Sequence, residues 1–254
     1  LPAISYGQML FMLNGVKKLK EGSGRMAIIQ NGSSLFTGDA GSGASEIRRY
    51  VIEGDLVEAI IQLPTDLFYN TGISTYIWVL TKGKPMHRSG KVQLIDASKC
   101  FVKRRKNIGS KRVDLDDACI DLILRAYEGF ANETHEENGL VVESKVFDNS
   151  FFGFTKVTVE TAQADGAGKP VLKKGKKQPV KGTSDTEIIP LSEDIAAYMA
   201  KNVLPYNPHA YIDPAKDKIG YEVPFTRLFY KFVAPPSSDS IFEEIKELLK
   251  LTSL

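Results

Sequence analysis

Phe68 and Tyr69 form an aromatic pair whose setting suggests contact with a flat ligand. The pair lies between two apolar runs, 57–63 and 74–80, that are typical of strands, and a Thr-Gly dipeptide follows it at 71–72. Packing alone does not demand an exposed aromatic pair at the mouth of such a hairpin. An aromatic face that stacks on a nucleic-acid base contributes about 1–3 kcal/mol. The residues also allow the alternative that Phe68 is a core residue closing the end of the sheet.

A basic run at 100–112 is a second candidate, because it could contact phosphate groups. Its cations are Lys103, Arg104, Arg105, Lys106, Lys111 and Arg112, with Lys99 just upstream. Such a cluster in a predicted loop supplies salt-dependent contacts to a nucleic-acid backbone without reading its sequence. The alternative is a basic loop that is simply solvated. A lysine-rich stretch at 169–181 could also touch DNA, but we favour a solubilising spacer there.

The glycine-rich run 38–45 nearly fits a phosphate-binding loop, because Gly38, Gly43 and Ser45 are in register with it. Ala44 stands where that loop needs its lysine, which argues against nucleotide hydrolysis. A flexible connection with ordinary helix capping is the better account, although an anion or DNA phosphate could still bind at the helix N-terminus. The three histidines are isolated, so we predict no metal site or catalytic triad from His87, His135 or His209.

The composition is that of a globular protein with a core, since 43% of its 254 residues are hydrophobic. A formal net charge of +2 says little about partners. Cys100 and Cys119 provide neither a disulfide framework nor metal-ligand spacing, and they fit a reducing cytosol. No apolar run is long enough to cross a membrane and no signal peptide opens the chain, so we expect a cytoplasmic protein. Because the sequence starts at Leu1 within a predicted helix, we interpret it as part of a longer protein.

Helices and strands alternate along the first half, which is the order of an α/β fold. Its predicted elements are a helix at 5–20, a short buried strand at 25–30, a helix at 45–54 with Ser45 as N-cap, the strand pair, a strand at 91–98 and a helix at 114–130. The second half is predicted to hold a turn and strand at 146–161, a helix at 191–204 and an amphipathic helix at 240–251. Residues 163–186 are rich in Gly, Pro and Lys and are predicted to be a linker or mobile loop.

The loop after the first strand of the pair resembles that of adenine-specific DNA methyltransferases of the type I restriction-modification class. Their modification subunit carries the pattern LFY-x-TGI-x-T at this point. The matching residues are Leu67, Phe68, Tyr69, Thr71, Gly72, Ile73 and Thr75. Further similarity lies in the helix IR-x-x-ø-ø-E, in the basic stretch after IDAS, and in the segment IGYE-ø-PFTR-x-FY at 219–230. The resemblance extends from about residue 4 to the end of the chain.

The resemblance implies an α/β fold that is the C-terminal part of a Rossmann-like methyltransferase sheet, followed by a mixed, mainly helical region. It implies four segments. These are the C-terminal half of the methyltransferase catalytic domain (1–130), a connecting segment with a strand (131–162), a basic flexible linker (163–187) and a C-terminal helical region for contact with the specificity subunit and DNA (188–254). The activity implied is transfer of a methyl group from S-adenosylmethionine to the exocyclic amino nitrogen of adenine in DNA.

The resemblance also assigns roles to individual residues. Phe68 would stack on the flipped adenine, with Tyr69 as second choice, and the base-pocket loop would include Thr71, Gly72 and Thr75. Contacts to DNA would come from Lys103, Arg104, Arg105, Lys106 and Lys111, and from Arg227 in the C-terminal region. A packed irregular scaffold is the alternative for most aromatic residues of that region.

Two diagnostic motifs of the family do not occur in the sequence. These are the glycine-rich loop that binds S-adenosylmethionine and the Asn/Asp-Pro-Pro-aromatic motif that bonds the target amino group. We therefore expect that these 254 residues alone neither bind the cofactor properly nor transfer a methyl group. We also expect the sheet to have an exposed edge.

A non-catalytic assembly module is the alternative function. In this interpretation, the 188–232 region and the terminal helix dock a DNA-reading specificity subunit. The apolar face of the helix consists of Ile241, Ile245, Leu248 and Leu249. The partners implied are double-stranded DNA and the specificity and restriction subunits of a type I complex, without a membrane.

Overall fold

The fold is mixed α/β in a computed structural model that describes residues 7–251. Its strands are Arg25–Asn31 (β1), Val57–Gln62 (β2), Thr75–Thr81 (β3), Lys91–Lys99 (β4), Val102–Ile108 (β5), Lys111–Asp114 (β6), Glu133–Glu137 (β7), Leu140–Asp148 (β8), Gly153–Thr161 (β9), Leu172–Lys173 (β10), Lys176–Lys177 (β11), Asp185–Pro190 (β12), Ala210–Ile212 (β13) and Lys218–Tyr221 (β14). Its helices are Gly7–Lys18 (α1), Ser33–Phe36 (α2), Gly43–Glu53 (α3), Asp117–Gly129 (α4), Ile195–Asn202 (α5), Phe225–Phe229 (α6) and Ser238–Leu251 (α7). Residues 5 and 6 of the predicted first helix lie outside the described range. The predicted α/β class is confirmed.

A six-stranded sheet with the order β1-β3-β2-β4-β8-β7 organises the first half. Strand β3 is antiparallel to both of its neighbours, and β2 is parallel to β4, so β1, β2 and β4 all run in one direction. Strands β7 and β8 extend the sheet past residue 130, where the sequence placed the end of the catalytic domain.

Strand β1 lies at one edge of this sheet. The predicted strand at 25–30 is confirmed, but the prediction that it is buried is wrong, because burial alternates along β1 and Ile29 remains 50% exposed. The expectation of an exposed sheet edge agrees with this position. Apolar residues along a strand do not by themselves distinguish an edge position from a central one.

The two faces of the sheet carry different helices because strand side chains alternate in direction. Ile61 and Ile95 face α4, where they pack with Leu122. On the other face, the Trp78 indole donates a hydrogen bond of 3.1 Å to the hydroxyl of Ser34. The two cysteines belong to the α4 cluster as free thiols, and burial raises the pKa of Cys100 to about 12.

A second sheet is built around β9, which pairs antiparallel with β12, β13 and β14. Its core contains Val157, Ile189 and Met199, and α5 packs against it. The sequence predicts β9 and the helix of α5 but not the three partner strands. Those strands are short, and β12 falls across the predicted linker boundary at 187.

Two segments predicted as loops are hairpins in the structure. The basic run at 100–112 forms most of the antiparallel pair β5–β6, and the predicted linker contains the pair β10–β11. The linker prediction rested on the abundance of Gly, Pro and Lys and the near absence of large apolar residues. Gly168, Gly175 and Gly182 instead have φ of 76°, 77° and 81°, which are the conformations that tight turns require.

The chain divides into two compact units, Leu1–Pro224 and Phe225–Leu254. In the second unit, the rings of Phe225 and Phe229 stack with centroids 4.8 Å apart. The predicted apolar face of α7 is exposed to between 42% and 61% at Ile241, Ile245, Leu248 and Leu249. None of the helices within residues 7–251 combines the length and the apolar character that crossing a membrane requires.

Candidate nucleic-acid interface

The candidate interface lies at the carboxyl ends of the parallel strands. Strands β1, β2 and β4 end at the same edge of the sheet, where α/β proteins bind their ligands. The loop of residues 63–74, here the aromatic loop, leaves β2 at this edge. The pair β5–β6, here the basic hairpin, leaves β4 at the same edge.

Backbone hydrogen bonds fasten the aromatic loop to the basic hairpin. The Ser110 amide donates to the Tyr69 carbonyl at 2.8 Å, and the Arg112 amide donates to the Asp66 carbonyl at 2.8 Å. Gly109 has φ of 58°, and a Cβ there would collide with the Tyr69 carbonyl oxygen. The two regions that the sequence marks separately are therefore one surface.

An apolar cluster supports this surface from beneath. Leu63, Leu67 and Val113 are its buried members, and Phe68 and Phe101 pack partly buried against it. Phe68 is thus fixed on one side by the cluster without being fully enclosed. This arrangement holds the ring in place and satisfies part of the alternative prediction that Phe68 closes the end of the sheet.

Tyr69 and Thr75 differ sharply in exposure. The Tyr69 side chain is 62% exposed, and the Lys111 ammonium lies 5.5 Å from its ring centroid. Thr75 is only 6% exposed, and its hydroxyl has no hydrogen-bond partner within residues 7–251. A buried polar group without a partner is unfavourable, so this hydroxyl is available to a ligand or water. The backbones of Thr71 and Phe68 form an isolated antiparallel β-bridge across the turn. Gly72 is exposed.

The cations of the basic hairpin fall into two groups. Asp114 forms ion pairs with Lys111, at 2.9 Å, and with Arg104, and the hydrogen bond from Lys111 is the main cause that lowers the pKa of its carboxyl group. These two cations therefore stabilise the hairpin itself. The cations that are exposed, with no ion pair recorded in the described part of the chain, are Lys103, Arg105, Lys106 and Arg112. The sequence could not separate the two groups, because Asp114 lies outside the basic run.

The glycine-rich run 38–45 packs against β14, and its surroundings are unfavourable for an anion. Its helix is capped by Ser42, so the prediction of Ser45 as N-cap is wrong. The Gly41 amide donates to the Ile219 carbonyl at 3.1 Å, while Asp39 accepts from the Ala40 amide and pairs with Lys156. A carboxylate beside amides that are already bonded would repel a phosphate. The amides of Ala40, Gly41 and Ser42 are already bonded within the chain, so they are not free to hold S-adenosylmethionine.

The remaining predicted residues are not part of the aromatic loop or the basic hairpin. Arg227 is exposed on α6, in the second compact unit. His87 packs edge-on against Phe130 at 5.9 Å, His135 lies on β7, and His209 lies in the turn before β13. No group of three His, Cys, Asp or Glu side chains suited to a metal ion occurs in the described residues.

Comparisons with known proteins all find similarity to DNA methylases. The model of the family described as N-6 DNA Methylase matches residues 2–164. The chain is 36% identical over 95 residues to the type I restriction enzyme MjaVII methylase subunit of Methanocaldococcus jannaschii, a match covering 35% of this chain and 16% of that protein. It is 29% identical over 156 residues to the HindI methylase subunit of Haemophilus influenzae, covering 60% of this chain and 34% of that protein.

A solved structure gives a similar match. The type I restriction-modification methyltransferase subunit from Streptococcus thermophilus superposes with a TM-score of 0.49 at 28% identity, covering 58% of this chain and 28% of that one. The chain thus spans about a third or less of the length of these relatives.

Proposed function

The chain belongs to the N-6 DNA methylase family, and from this premise we propose that it is part of an adenine-specific DNA methyltransferase subunit of a type I restriction-modification system. The observation that carries the proposal is the junction of the aromatic loop with the basic hairpin at the carboxyl edge of the sheet. One surface there offers both aromatic faces and unpaired cations. Those are the two chemistries needed by a protein that holds a base and its backbone.

In the reaction, S-adenosylmethionine would supply the methyl group to the exocyclic nitrogen of adenine. The glycine-rich run 38–45 does not fit this cofactor, and the sequence lacks the Pro-Pro-aromatic motif. We therefore infer that methyl transfer needs residues beyond these 254, and that this chain contributes base holding and DNA contact. A cytoplasmic location is expected for an enzyme with this substrate.

Base holding would centre on Phe68. A base taken out of the duplex loses its stacking energy, and an aromatic ring restores part of that loss. The cluster of Leu63, Leu67 and Val113 packs against the partly buried Phe68 ring, so less side-chain entropy would be lost on binding than for a fully exposed ring. Tyr69 remains the second choice, and Thr71, Gly72 and Thr75 would shape the pocket.

The basic hairpin would contact DNA phosphates. Changing Lys103, Arg105 and Lys106 together to glutamine is expected to weaken binding of the chain to duplex DNA at low salt. Each lost phosphate contact lowers the slope of log K against log salt by about 0.9, so a decrease of about 2–3 is expected. In the matched control, the exposed Lys17, Lys18 and Lys20 are changed to glutamine, which removes the same net charge far from the interface.

Equal slopes for these two triple variants would contradict a phosphate role for the hairpin. Arg104 and Lys111 are left unchanged because their ion pairs with Asp114 hold the hairpin. Replacing either residue could unfold the hairpin, and a loss of DNA binding would then not report on phosphate contacts alone.

A second candidate function, assembly with a specificity subunit, is favoured by the exposed apolar side of α7. Ile241 is 42% exposed and Ile245 is 45% exposed. Changing both to aspartate is expected to lower recovery of a co-expressed specificity subunit by about tenfold or more, because buried apolar anchors dominate such interfaces. The control is Glu244→Gln on the same helix. Unchanged recovery would mean that α7 serves only its own unit.

A further inference from the structure

The segment 163–184 carries a strong positive charge that the proposed interface does not use. It contains six lysines and a single acidic residue, Asp165. The lysines are Lys169, Lys173, Lys174, Lys176, Lys177 and Lys181. All six lysines are exposed, and no ion pair is recorded for them within residues 7–251.

Four of these lysines are held together by a tight turn. Residues 171–178, here the lysine hairpin, reverse direction at Lys174 and Gly175, whose φ values are 52° and 77°. Two consecutive positive φ values are those of a two-residue type I′ hairpin turn. Lys173 is then directly opposite Lys176 in the register. Like charges in that position repel each other, and a polyanion would relieve the repulsion.

The base of the lysine hairpin is fixed to the second sheet. The Gln163 amide donates to the Gln178 carbonyl at 2.8 Å, and the Val180 amide donates to the Thr161 carbonyl at 2.9 Å. On β13, the Tyr211 hydroxyl donates to Glu160 at 2.9 Å and also contacts the Lys177 carbonyl at 3.3 Å, and the Lys177 ammonium lies 5.3 Å from the Tyr211 ring centroid. The lysines are therefore presented by an anchored ribbon and not by a tether.

We propose that the lysine hairpin is a second contact to duplex DNA, separate from the basic hairpin, which binds backbone phosphates without reading sequence. A two-stranded ribbon fits the major groove, and lysines bind phosphates as point charges. This inference rests on the proposed function only for the choice of DNA as the ligand. The evidence for the site itself is the positive charge of the lysines, the tight turn that holds them together and the hydrogen bonds that anchor the hairpin to the second sheet.

The test measures binding of the full chain to duplex DNA of arbitrary sequence across a range of salt concentrations. In the charge variant, Lys173, Lys174, Lys176 and Lys177 are changed to glutamine. We expect its affinity at low salt to fall by about tenfold or more and the slope of log K against log salt to fall by about 2–4. The control variant changes Lys17, Lys18, Lys20 and Lys201, which are exposed elsewhere, and keeps the same net charge as the charge variant.

A second variant, Gly175→Val, keeps every lysine but strains the turn, because valine disfavours φ near 77°. We expect it to lose part of the affinity at unchanged charge. If the charge variant and its control behave alike, the inference is overturned. If only the basic-hairpin variant loses binding, the inference fails while the proposed function stands. If the unaltered chain does not bind duplex DNA, both fail.

Discussion

Replacing Arg48 by methionine is expected to lower the free energy of unfolding by about 3–5 kcal/mol. Arg48 is fully buried, and its guanidinium donates to the carbonyls of Tyr221 at 2.6 Å, Thr37 at 2.9 Å and Ser34 at 3.2 Å. Methionine fills a similar volume but donates nothing, so these buried carbonyls would lose their partner. A buried acceptor left without a donor costs about 1–3 kcal/mol.

The neighbouring Arg49 provides the control for this experiment. It lies on the same helix but is partly exposed, and it pairs with Glu53 at 3.0 Å. Exposed ion pairs of this kind contribute about 0–1 kcal/mol, so Arg49→Met should change stability little. Urea unfolding of both variants measures the difference. Equal losses for Arg48→Met and Arg49→Met would show that the carbonyl contacts do not hold β14 in place.

Arg48 also explains why two motifs far apart in sequence occur together. It belongs to the pattern IR-x-x-ø-ø-E, while Tyr221 belongs to the pattern IGYE-ø-PFTR. The Tyr221 hydroxyl donates to Glu53 at 2.9 Å, and the Tyr221 amide donates to the Ser45 hydroxyl at 3.0 Å. The sequence shows both patterns, but it cannot show that they meet across 173 residues.

The sequence predicts the central strands well because burial on both faces selects mostly apolar residues at their centres. Glu58 and Gln93 are buried polar exceptions, and β2, β3 and β4 all appear at or within one residue of their predicted bounds. Helix α4 is likewise predicted by its period, although its N-cap is Asp116 and it ends at Gly129. These elements need no distant partner to be visible in the sequence.

Elements whose form depends on a partner were harder to predict. Strands β12, β13 and β14 are short and exist because β9 offers them hydrogen bonds. The lysine hairpin depends on a turn conformation that composition does not reveal. In the candidate interface the residue types were predicted, but the pairing of Asp114 with Lys111 and Arg104 was not, because it depends on the hairpin register.

In the complete methyltransferase that contains this chain, Phe68→Leu is expected to slow methylation of adenine by about 10–100-fold. Leucine keeps apolar contact with Leu63 and Leu67 but has no aromatic face, so it would lose the stacking that we propose for the flipped base. That stacking contributes about 1–3 kcal/mol, and each 1.36 kcal/mol corresponds to a tenfold change in rate. Single-turnover methylation of duplex DNA measures the effect at the chemical step.

Phe101→Leu separates stacking from packing. Phe101 packs against the same cluster as Phe68 but lies outside the aromatic loop, so its replacement removes a ring from the cluster without removing one from the proposed base site. Similar rates for both variants would mean that Phe68 only packs. If Tyr69→Leu is slow and Phe68→Leu is not, the exposed ring of Tyr69 holds the base. A slow Phe68→Leu enzyme beside a normal Phe101→Leu enzyme would support the assignment, because both rings pack against the same cluster but only Phe68 lies in the proposed base site.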